Sequence, residues 1–312
     1  MAIRLRPIEP ADYDAAGRLL IDSYRHRTNE VPLGRRPESK APTLRWVADD
    51  DGEMTLTGYA ALWNVEHRKY RVDVIVDRGR RGRGIGTQLF DLVLREARRA
   101  GGLTLQARAY VECADAIGFL ERRGFVETMR MHGFVLDLSQ VDDRAWSRWA
   151  RADVVDDVAI APVSPSEVED GRFWRRLCEL HDSATEGWPD PDPDGSRDPV
   201  SEGELRQMLL GSGRPPVAFL MARRGQELVA YSVLAPRTQP ADEAQFAATA
   251  VRPDYRRRGI ATRLRARCLA AARAAGFRTV RSASGHPALL RTNRRFGFEE
   301  RYCEVRLVKR LE

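Results

Sequence analysis

The pattern of hydrophobic and polar positions predicts short strands alternating with amphipathic helices in the first half of the chain. Apolar runs of strand length and composition lie at 3–7, 44–48, 54–63, 72–76 and 103–110. Apolar residues at helical spacing occupy 11–24, 85–100 and 113–123. Residues 125–138 form a further strand, which we expect to close the sheet of this half. The pattern therefore predicts a mixed α/β domain.

The second half of the chain repeats this order. Strands are predicted at 155–160, 217–223, 227–235 and 245–251, and helices at 167–183, 202–210 and 260–275. Such a repeat indicates two homologous domains, which we place at 1–140 and 154–312 with a linker at 141–153. Trp146 and Trp149 of this linker are expected to pack between the domains.

A short motif marks the same place in each half, between a strand and a helix. The first turn is Arg81-Gly82-Arg83-Gly84-Ile85-Gly86, and the second turn is Arg256-Arg257-Arg258-Gly259-Ile260-Ala261. The separation of the two turns equals that of the strand ends before them, Val76 and Val251. A Gly-Phe step follows each turn at nearly the same distance, as Gly124-Phe125 in the first half and Gly297-Phe298 in the second. These shared landmarks support the duplication.

The chemistry of the turns points to an anionic ligand. A helix start offers backbone N–H groups without intrahelical partners, and the helix dipole adds partial positive charge. Gly84 and Gly259 allow a phosphate to approach the backbone closely, and Gly86 and Ala261 keep the next position small. The arginines of the turns add charge that steers or holds a polyphosphate: Arg81, Arg83, Arg256 and Arg258. Each turn therefore predicts a polyphosphate site.

Two other phosphate-binding motifs do not fit these turns. A dinucleotide-binding turn reads Gly-x-Gly-x-x-Gly in the first strand-helix unit, with an acidic residue about 20 positions later, and neither turn has this pattern. A nucleoside triphosphate loop requires Gly-Lys-Ser/Thr, which the sequence does not contain.

Arg81, Gly84 and Gly86, and again Arg256, Gly259 and Ala261, resemble the Arg/Gln-x-x-Gly-x-Gly/Ala signature of the GCN5-related N-acetyltransferase (GNAT) superfamily. The resemblance covers nearly the whole chain as a tandem. It implies two α/β domains, each with a mixed, mostly antiparallel central sheet flanked by helices. It also implies that each turn holds the pyrophosphate of acetyl-CoA, while the preceding strand pairs with the pantetheine arm.

The cofactor contacts implied by the resemblance fall in both halves. They are Val76, Arg81, Gly82, Arg83, Gly84, Ile85, Gly86, Thr87, Val251, Arg256, Arg257, Arg258, Gly259, Ile260, Ala261, Thr262 and Asn293. The implied activity is direct transfer of an acetyl group from acetyl-CoA to the amine of a small molecule. A mycothiol synthase-like acetyltransferase and a non-catalytic acyl-CoA-binding sensor are the alternatives.

Acetyl transfer to an amine needs a group that takes the amine's proton. Many family members carry a glutamate for this purpose on the strand before the turn. Residues two apart share a face of a strand, which places Glu243 on the face of Val251 and makes it the candidate base. A β-bulge would change this parity, and Asp73 of the first half is then the alternative. For either carboxylate the non-catalytic interpretation is a solvated strand end or an ion pair.

The family's usual acid is a tyrosine four residues before the glycine of the Gly-Phe step. Leu120 and Asn293 occupy that position here. Leucine cannot donate a proton, whereas asparagine can hydrogen-bond a cofactor amide or a water. We therefore expect the second half to be the better catalyst, although the first turn matches the family signature more closely.

Charge and composition narrow the choice of partners. The 312-residue chain carries a net charge of +7 without a concentrated basic tract outside the two turns, so nucleic acid is not expected. The four cysteines lack the paired spacing of a metal site, and no apolar run is long enough for a membrane span. A cytoplasmic protein without a metal is expected, as a monomer or a dimer.

An acidic loop follows the first helix of the second half. Asp190, Asp192 and Asp194 resemble the start of a calcium-binding loop, but the twelfth position is Ser201 rather than glutamate. A solvated surface loop is the simpler interpretation of these aspartates, and the alternative hypothesis is that they favour a cationic amine substrate.

Overall fold

The computed structural model describes residues 3–23, 44–50, 53–66, 68–142, 144–150, 154–155, 157–186, 199–211, 213–238 and 240–311. The strands are β1 (Ile3–Pro7), β2 (Leu44–Asp50), β3 (Glu53–Glu66), β4 (Lys69–Val76), β5 (Thr104–Tyr110), β6 (Val126–Asp137), β7 (Val154–Val155), β8 (Val158–Pro162), β9 (Ala218–Arg224), β10 (Glu227–Pro236), β11 (Glu243–Val251), β12 (Thr279–Ser284) and β13 (Glu299–Arg310). The helices are α1 (Tyr13–Ser23), α2 (Ile85–Arg99), α3 (Ala114–Glu121), α4 (Arg144–Ala150), α5 (Pro165–Glu169), α6 (Gly171–Thr185), α7 (Glu202–Leu210), α8 (Ile260–Ala274) and α9 (Pro287–Arg295). The predicted order of elements is thus present in both halves.

The chain divides into two compact units. Unit 1 contains Met1–Arg130 and Glu304–Glu312, and unit 2 contains Met131–Asp190 and Asp194–Cys303. These groupings differ from the expected domain boundaries at 140 and 154, because the last residues of each repeat are counted with the other unit.

Unit 1 is a sheet with helices on both faces. Its strands follow the order β1-β2-β3-β4-β5, and the 304–310 part of β13 pairs antiparallel with β5. Among the described strand pairs of this unit, only β4 and β5 run parallel. Apolar residues of α2 and α3 cover one face of the sheet, and those of α1 cover the other. The sheet is therefore mixed and mostly antiparallel, as expected.

Unit 2 has the same plan. Its sheet follows the order β7-β8-β9-β10-β11-β12, and residues 132–137 of β6 pair antiparallel with β12. Strands β11 and β12 are parallel. Helices α4 and α8 pack on one face, while α6 and α7 pack on the other.

One expectation from the sequence is wrong, and it concerns the strand that closes each sheet. Residues 125–138 were expected to close the first sheet, but 132–137 pair with β12 of unit 2, and 304–310 take the place beside β5 in unit 1. The two segments occupy equivalent positions in the repeats. Alternation along a strand determines which side chains face the core but does not select between two equivalent partner strands.

The expected linker is also partly structured, since α4 lies within it. Trp146 is 1% exposed and belongs to the core of unit 2, and Trp149 packs against the same core. Both tryptophans therefore contribute to the fold of unit 2. Among the described helices, none has the length and apolar character needed to cross a bilayer.

Candidate functional site

In unit 1 the two parallel strands separate as they approach the first turn. The ladder between β4 and β5 runs only from Lys69 to Arg71 on β4, although β4 continues to Val76. Residues 72–76 keep their pairing with β3 on the other side. The described ladder thus leaves the β5-facing backbone edge of residues 72–76 outside it.

Unit 2 contains the same opening, with one difference. The ladder between β11 and β12 runs from Glu243 to Gln245, and β11 continues to Val251. The pairing of β11 with β10 shifts by one residue, because Val233 faces Ala248 while Leu234 faces Phe246. This shift is a β-bulge in β11, and no such shift interrupts the described pairing of residues 70–76 with β3.

The bulge reverses the parity from which Glu243 was derived. Thr249, which follows the bulge, contacts α8. Phe246 and Ala244, which precede the bulge, belong to the core cluster on the face of the sheet that α8 covers. Since neighbouring residues of a strand face opposite ways, Glu243 lies on the other face from Val251. Glu243 is 3% exposed, and its carboxylate forms ion pairs of 2.6 Å with Arg237 and Arg281. The geometry around Glu243 is that of a buried structural ion pair.

The first turn is open and exposed. Gly82 and Gly84 have φ of +78° and +81°, a left-handed conformation that glycine adopts without strain. A Cβ built on Gly84 meets no atom of the described residues within 4 Å. Arg81 braces the turn by donating from Nε to the Val76 carbonyl at 3.2 Å.

The helix behind this turn starts without a side-chain cap at Gly84. The N–H of Gln88 makes the first helical bond, to the Gly84 carbonyl at 3.1 Å, so the N–H groups of Ile85, Gly86 and Thr87 precede the ladder. By contrast, side chains cap the starts of α5, α6, α7 and α9. Uncapped donors at an exposed left-handed glycine form a cradle for an anion.

The second turn has the same left-handed glycine, but its Arg256 and Gly259 are partly covered, while Arg257 and Arg258 are exposed. Arg256 donates from Nε to the Val251 carbonyl at 3.3 Å, as Arg81 does in the first turn, and from Nη2 to the Ala184 carbonyl at 3.1 Å. A Cβ on Gly259 would lie 2.6 Å from Nη1 of Arg263. Arg257, with φ of +64°, holds the left-handed position that Gly82 holds in the first turn. A left-handed arginine costs about 1 kcal/mol in backbone strain.

Behind the first turn, the space beside the separated strands is lined by apolar side chains. Val74 of β4, Phe90 of α2, Ala107 of β5 and Leu120 of α3 belong to or pack on one core cluster. The ring of Phe90 makes an edge contact with that of Phe119 at 6.1 Å between centroids.

The corresponding positions in unit 2 are polar and enclose a buried arginine. By the register that aligns the two turns, Thr249, Arg265 and Ser282 correspond to Val74, Phe90 and Ala107, and Asn293 corresponds to Leu120. Arg265 is 1% exposed and donates to Thr249 Oγ1 at 3.3 Å, to Ser282 Oγ at 3.0 Å and to Asn293 Oδ1 at 2.6 Å. Burial lowers the pKa of the Arg265 guanidinium to about 9. The sequence pattern did not reveal this group, because one arginine among many carries no signal of burial.

Asn293 therefore has partners within the protein. Its amide nitrogen also donates to Ser282 Oγ at 3.2 Å, and the residue is fully buried. The cofactor contact expected of Asn293 stays a prediction, and its amide oxygen already accepts from Arg265.

Asp73 lies on the face of the sheet that α1 covers, so it faces away from Val76 just as Glu243 faces away from Val251. The two carboxylates differ in their place along the strands: Asp73 lies two residues beyond the last β4–β5 pair, whereas Glu243 lies within the β11–β12 ladder. It is 7% exposed and accepts a hydrogen bond of 2.7 Å from Trp63 Nε1. Arg45 and Arg71 lie against the Trp63 ring, at 5.4 and 5.1 Å from its centroid. Asp73 thus places a carboxylate next to the point where the strands of unit 1 separate.

Arg123 is a residue near the first turn that sequence reasoning missed. Its Nη2 donates to Thr87 Oγ1 at 2.7 Å, which brings a guanidinium beside the start of α2. The Phe119 ring supports it at 3.5 Å from the centroid, and Nη1 donates to the Phe119 carbonyl at 3.1 Å. Only the approach of the end of α3 to the start of α2 makes Arg123 a neighbour of the turn. Asp190, Asp192 and Asp194 lie outside the described residues.

Sequence comparison agrees with this architecture. The chain matches the profile of the Acetyltransferase (GNAT) family over residues 13–125 and again over 174–298. The chain belongs to the acetyltransferase (GNAT) family. The two matched segments correspond to the two repeats, so the protein is a tandem member of the GNAT family.

Individual relatives match nearly the whole chain. A mycothiol acetyltransferase of Cellulomonas flavigena is 25% identical over 315 residues, which cover 96% of this chain and 86% of the relative. A GCN5-related N-acetyltransferase of Sphaerobacter thermophilus superposes with a TM-score of 0.76 at 18% identity, covering 99% of this chain and 95% of its own. A tandem GNAT protein from the clavulanic acid biosynthesis pathway superposes with a TM-score of 0.71 at 20% identity, covering 99% and 98%. At identities of 18% and 20%, the similarity to these two structures supports the fold of this chain alone.

Proposed function

We propose that this GNAT protein transfers the acetyl group of acetyl-CoA to the amine of a small molecule, and that unit 1 holds the cofactor. One observation carries the proposal: an exposed, uncapped helix start at Gly84 lies at the end of a strand pair that opens onto an apolar surface. This arrangement matches the two chemically different parts of acetyl-CoA, an anionic pyrophosphate and an extended, largely apolar arm.

The cradle suits the pyrophosphate. The N–H groups of Ile85, Gly86 and Thr87 and the dipole of α2 attract phosphate oxygens, and no Cβ fills the space above Gly84. An amide-bearing arm can extend the sheet by bonding the β5-facing edge of residues 72–76. Val74 of this edge and Leu120 of α3 belong to or pack on the same apolar cluster, which offers an apolar surface to the arm.

An alkyl amine with a pKa near 10.4 is protonated at neutral pH, and removing its proton costs about 4.6 kcal/mol. In the proposed reaction Asp73 accepts this proton, directly or through a water, and the neutral amine then attacks the acetyl carbonyl to form the C–N bond. The C–S bond of the thioester breaks, and the coenzyme A thiolate leaves and takes up the proton that the attacking nitrogen loses. The Trp63 hydrogen bond fixes the orientation of the Asp73 carboxylate.

The direct test is release of free thiol from acetyl-CoA in the presence of a panel of small amines. We expect at least one amine to accelerate thiol release above the rate of hydrolysis, with mass spectrometry detecting the acetylated form of that amine. Acetyl-CoA binding without transfer to any amine would favour the non-catalytic sensor instead.

A second candidate activity is that of the Cellulomonas flavigena relative, mycothiol acetyltransferase. The 25% identity extends over 96% of the chain and therefore includes both repeats. Adding the amine precursor of mycothiol to the panel tests this candidate. A rate above those of simple amines would support it.

Arg123 supplies the first prediction about the site. Replacing it with glutamine removes a guanidinium that bonds Thr87 at the start of α2. We expect acetyl-CoA to bind about 10-fold more weakly, because a charge-assisted contact to phosphate contributes more than about 1 kcal/mol. Calorimetric titration measures the change. Arg122→Gln, which removes the same charge from the exposed neighbouring position, is expected to alter the dissociation constant less than threefold.

A further inference from the structure

We infer that each chain binds a single acetyl-CoA, in unit 1, because the Arg265 side chain spans the strand opening of unit 2 and occupies the place that the cofactor arm would take. This inference rests on the proposed function and refines it. It assigns the two repeats different roles, and it reverses the expectation that both turns bind the cofactor and that the second repeat is the better catalyst.

The position of Arg265 carries the argument. Thr249 lies on β11 four residues beyond the last pair with β12, and Ser282 lies on β12 one residue beyond it. One guanidinium bonds the hydroxyls of both residues and therefore bridges the two strands across their opening. An arm that follows β11 inward from Val251 must pass this bridge.

The bridge is held from several sides. The shortest contact is the 2.6 Å hydrogen bond to Asn293 of α9, and Asn293 in turn donates to Ser282. The Arg265 Cζ atom lies 3.6 Å from the centroid of the Phe246 ring. Thr249 is itself held by a 2.8 Å contact with a hydroxyl of β10, that of Ser232. Displacing the guanidinium would leave a buried cation without its partners, and it would take one partner from each of the buried polar groups around it.

Unit 1 provides an internal comparison. Its corresponding residues, Val74, Phe90, Ala107 and Leu120, hold no charge, and its opening is not bridged by a polar side chain among the described contacts. The first turn is exposed at Arg81, Gly82, Arg83 and Gly84, whereas Arg256 and Gly259 of the second are partly covered. The same backbone therefore presents a cofactor site in one repeat and a closed, self-bonded structure in the other.

Calorimetric titration of acetyl-CoA into the full-length chain and its variants tests the inference. We expect one site per wild-type chain, no detectable binding to Gly84→Glu, and one site with a dissociation constant within threefold of wild type for Gly259→Glu. Two wild-type sites, or one site that Gly259→Glu removes, would overturn the inference. No binding to the wild type would instead reject the proposed function.

Arg265→Met adds a second readout, because it removes the bridge and retains a long apolar side chain. We expect its rate of acetyl transfer to an accepted amine, and binding of the first acetyl-CoA, to stay within twofold of wild type. A second binding site in this variant would directly support the bridge as the obstacle. Loss of transfer with a native circular dichroism spectrum would place the active site in unit 2 and overturn the inference. If the variant does not fold, the Gly84 and Gly259 variants decide the question.

Discussion

Replacing Gly84 with glutamate is expected to weaken acetyl-CoA binding at least 100-fold and to abolish acetyl transfer, while the chain stays folded. The new carboxylate would stand at the uncapped start of α2, where it competes with the pyrophosphate for the same N–H groups and repels it. The backbone at φ of +81° strains any residue other than glycine by about 1 kcal/mol, and no atom of the described residues lies within 4 Å of the added Cβ. The fold should therefore tolerate the change.

Gly101 is a matched control for this variant. It follows the other end of α2, has φ of +71°, and its Cβ would also meet no described atom within 4 Å. Gly101→Glu therefore introduces the same side chain with similar backbone strain, away from the turn. We expect both variants to lose similar stability in thermal unfolding, and only Gly84→Glu to lose binding in calorimetry. Equal acetyl-CoA affinity in the two variants would contradict the first turn as the cofactor site.

Replacing Asp73 with asparagine is expected to lower kcat about 100-fold and to leave the dissociation constant of acetyl-CoA unchanged. The amide retains the shape and can still accept the Trp63 hydrogen bond, but it cannot take a proton from the amine. General base catalysis commonly contributes a factor of about 100 or more. Steady-state kinetics with an accepted amine, together with calorimetry, separate the two quantities.

Glu243→Gln is the companion variant, because the sequence predicted Glu243 as the base and Asp73 only as the alternative. Its carboxylate pairs with Arg237 and Arg281. Removing one charge from such a buried cluster destabilises a protein by about 3 kcal/mol. We expect Glu243→Gln to unfold at lower denaturant concentration while its kcat at room temperature stays near that of wild type. The opposite result, with Asp73→Asn active and Glu243→Gln folded but inactive, would move catalysis to unit 2.

Much of the fold follows from local patterns in the chain. Helix α7 has the predicted ends, Glu202 and Leu210, and α2 and α8 begin at the predicted residues behind the two turns. These elements are readable because amphipathic spacing and left-handed glycines act over a few neighbouring residues. The same locality explains the error at Glu243. A bulge in β11 depends on its pairing with β10, so counting alternate residues along one strand assigned the wrong face.

The differences between the two repeats were visible in the sequence only as unrelated substitutions. Phe90 and Arg265 occupy equivalent helix positions, yet the importance of Arg265 appears only when Thr249, Ser282 and Asn293 are seen around it. Arg123 is similar, since its contact with Thr87 joins two segments that are distant in the chain. Contacts between distant segments decide these roles.

The sequence by itself determined that the chain is a duplicated α/β protein of the GNAT type, and it located a glycine turn before a helix start at Gly84 and again at Gly259. Such turns are local: a glycine, a helix start and a preceding strand suffice to specify them. Only the tertiary structure decided which strands close each sheet, which carboxylate stands near the opening of β4 and β5, and which turn is open. Those outcomes depend on packing between residues far apart in the chain, where burial converts an ordinary arginine or aspartate into a bridge or a candidate base.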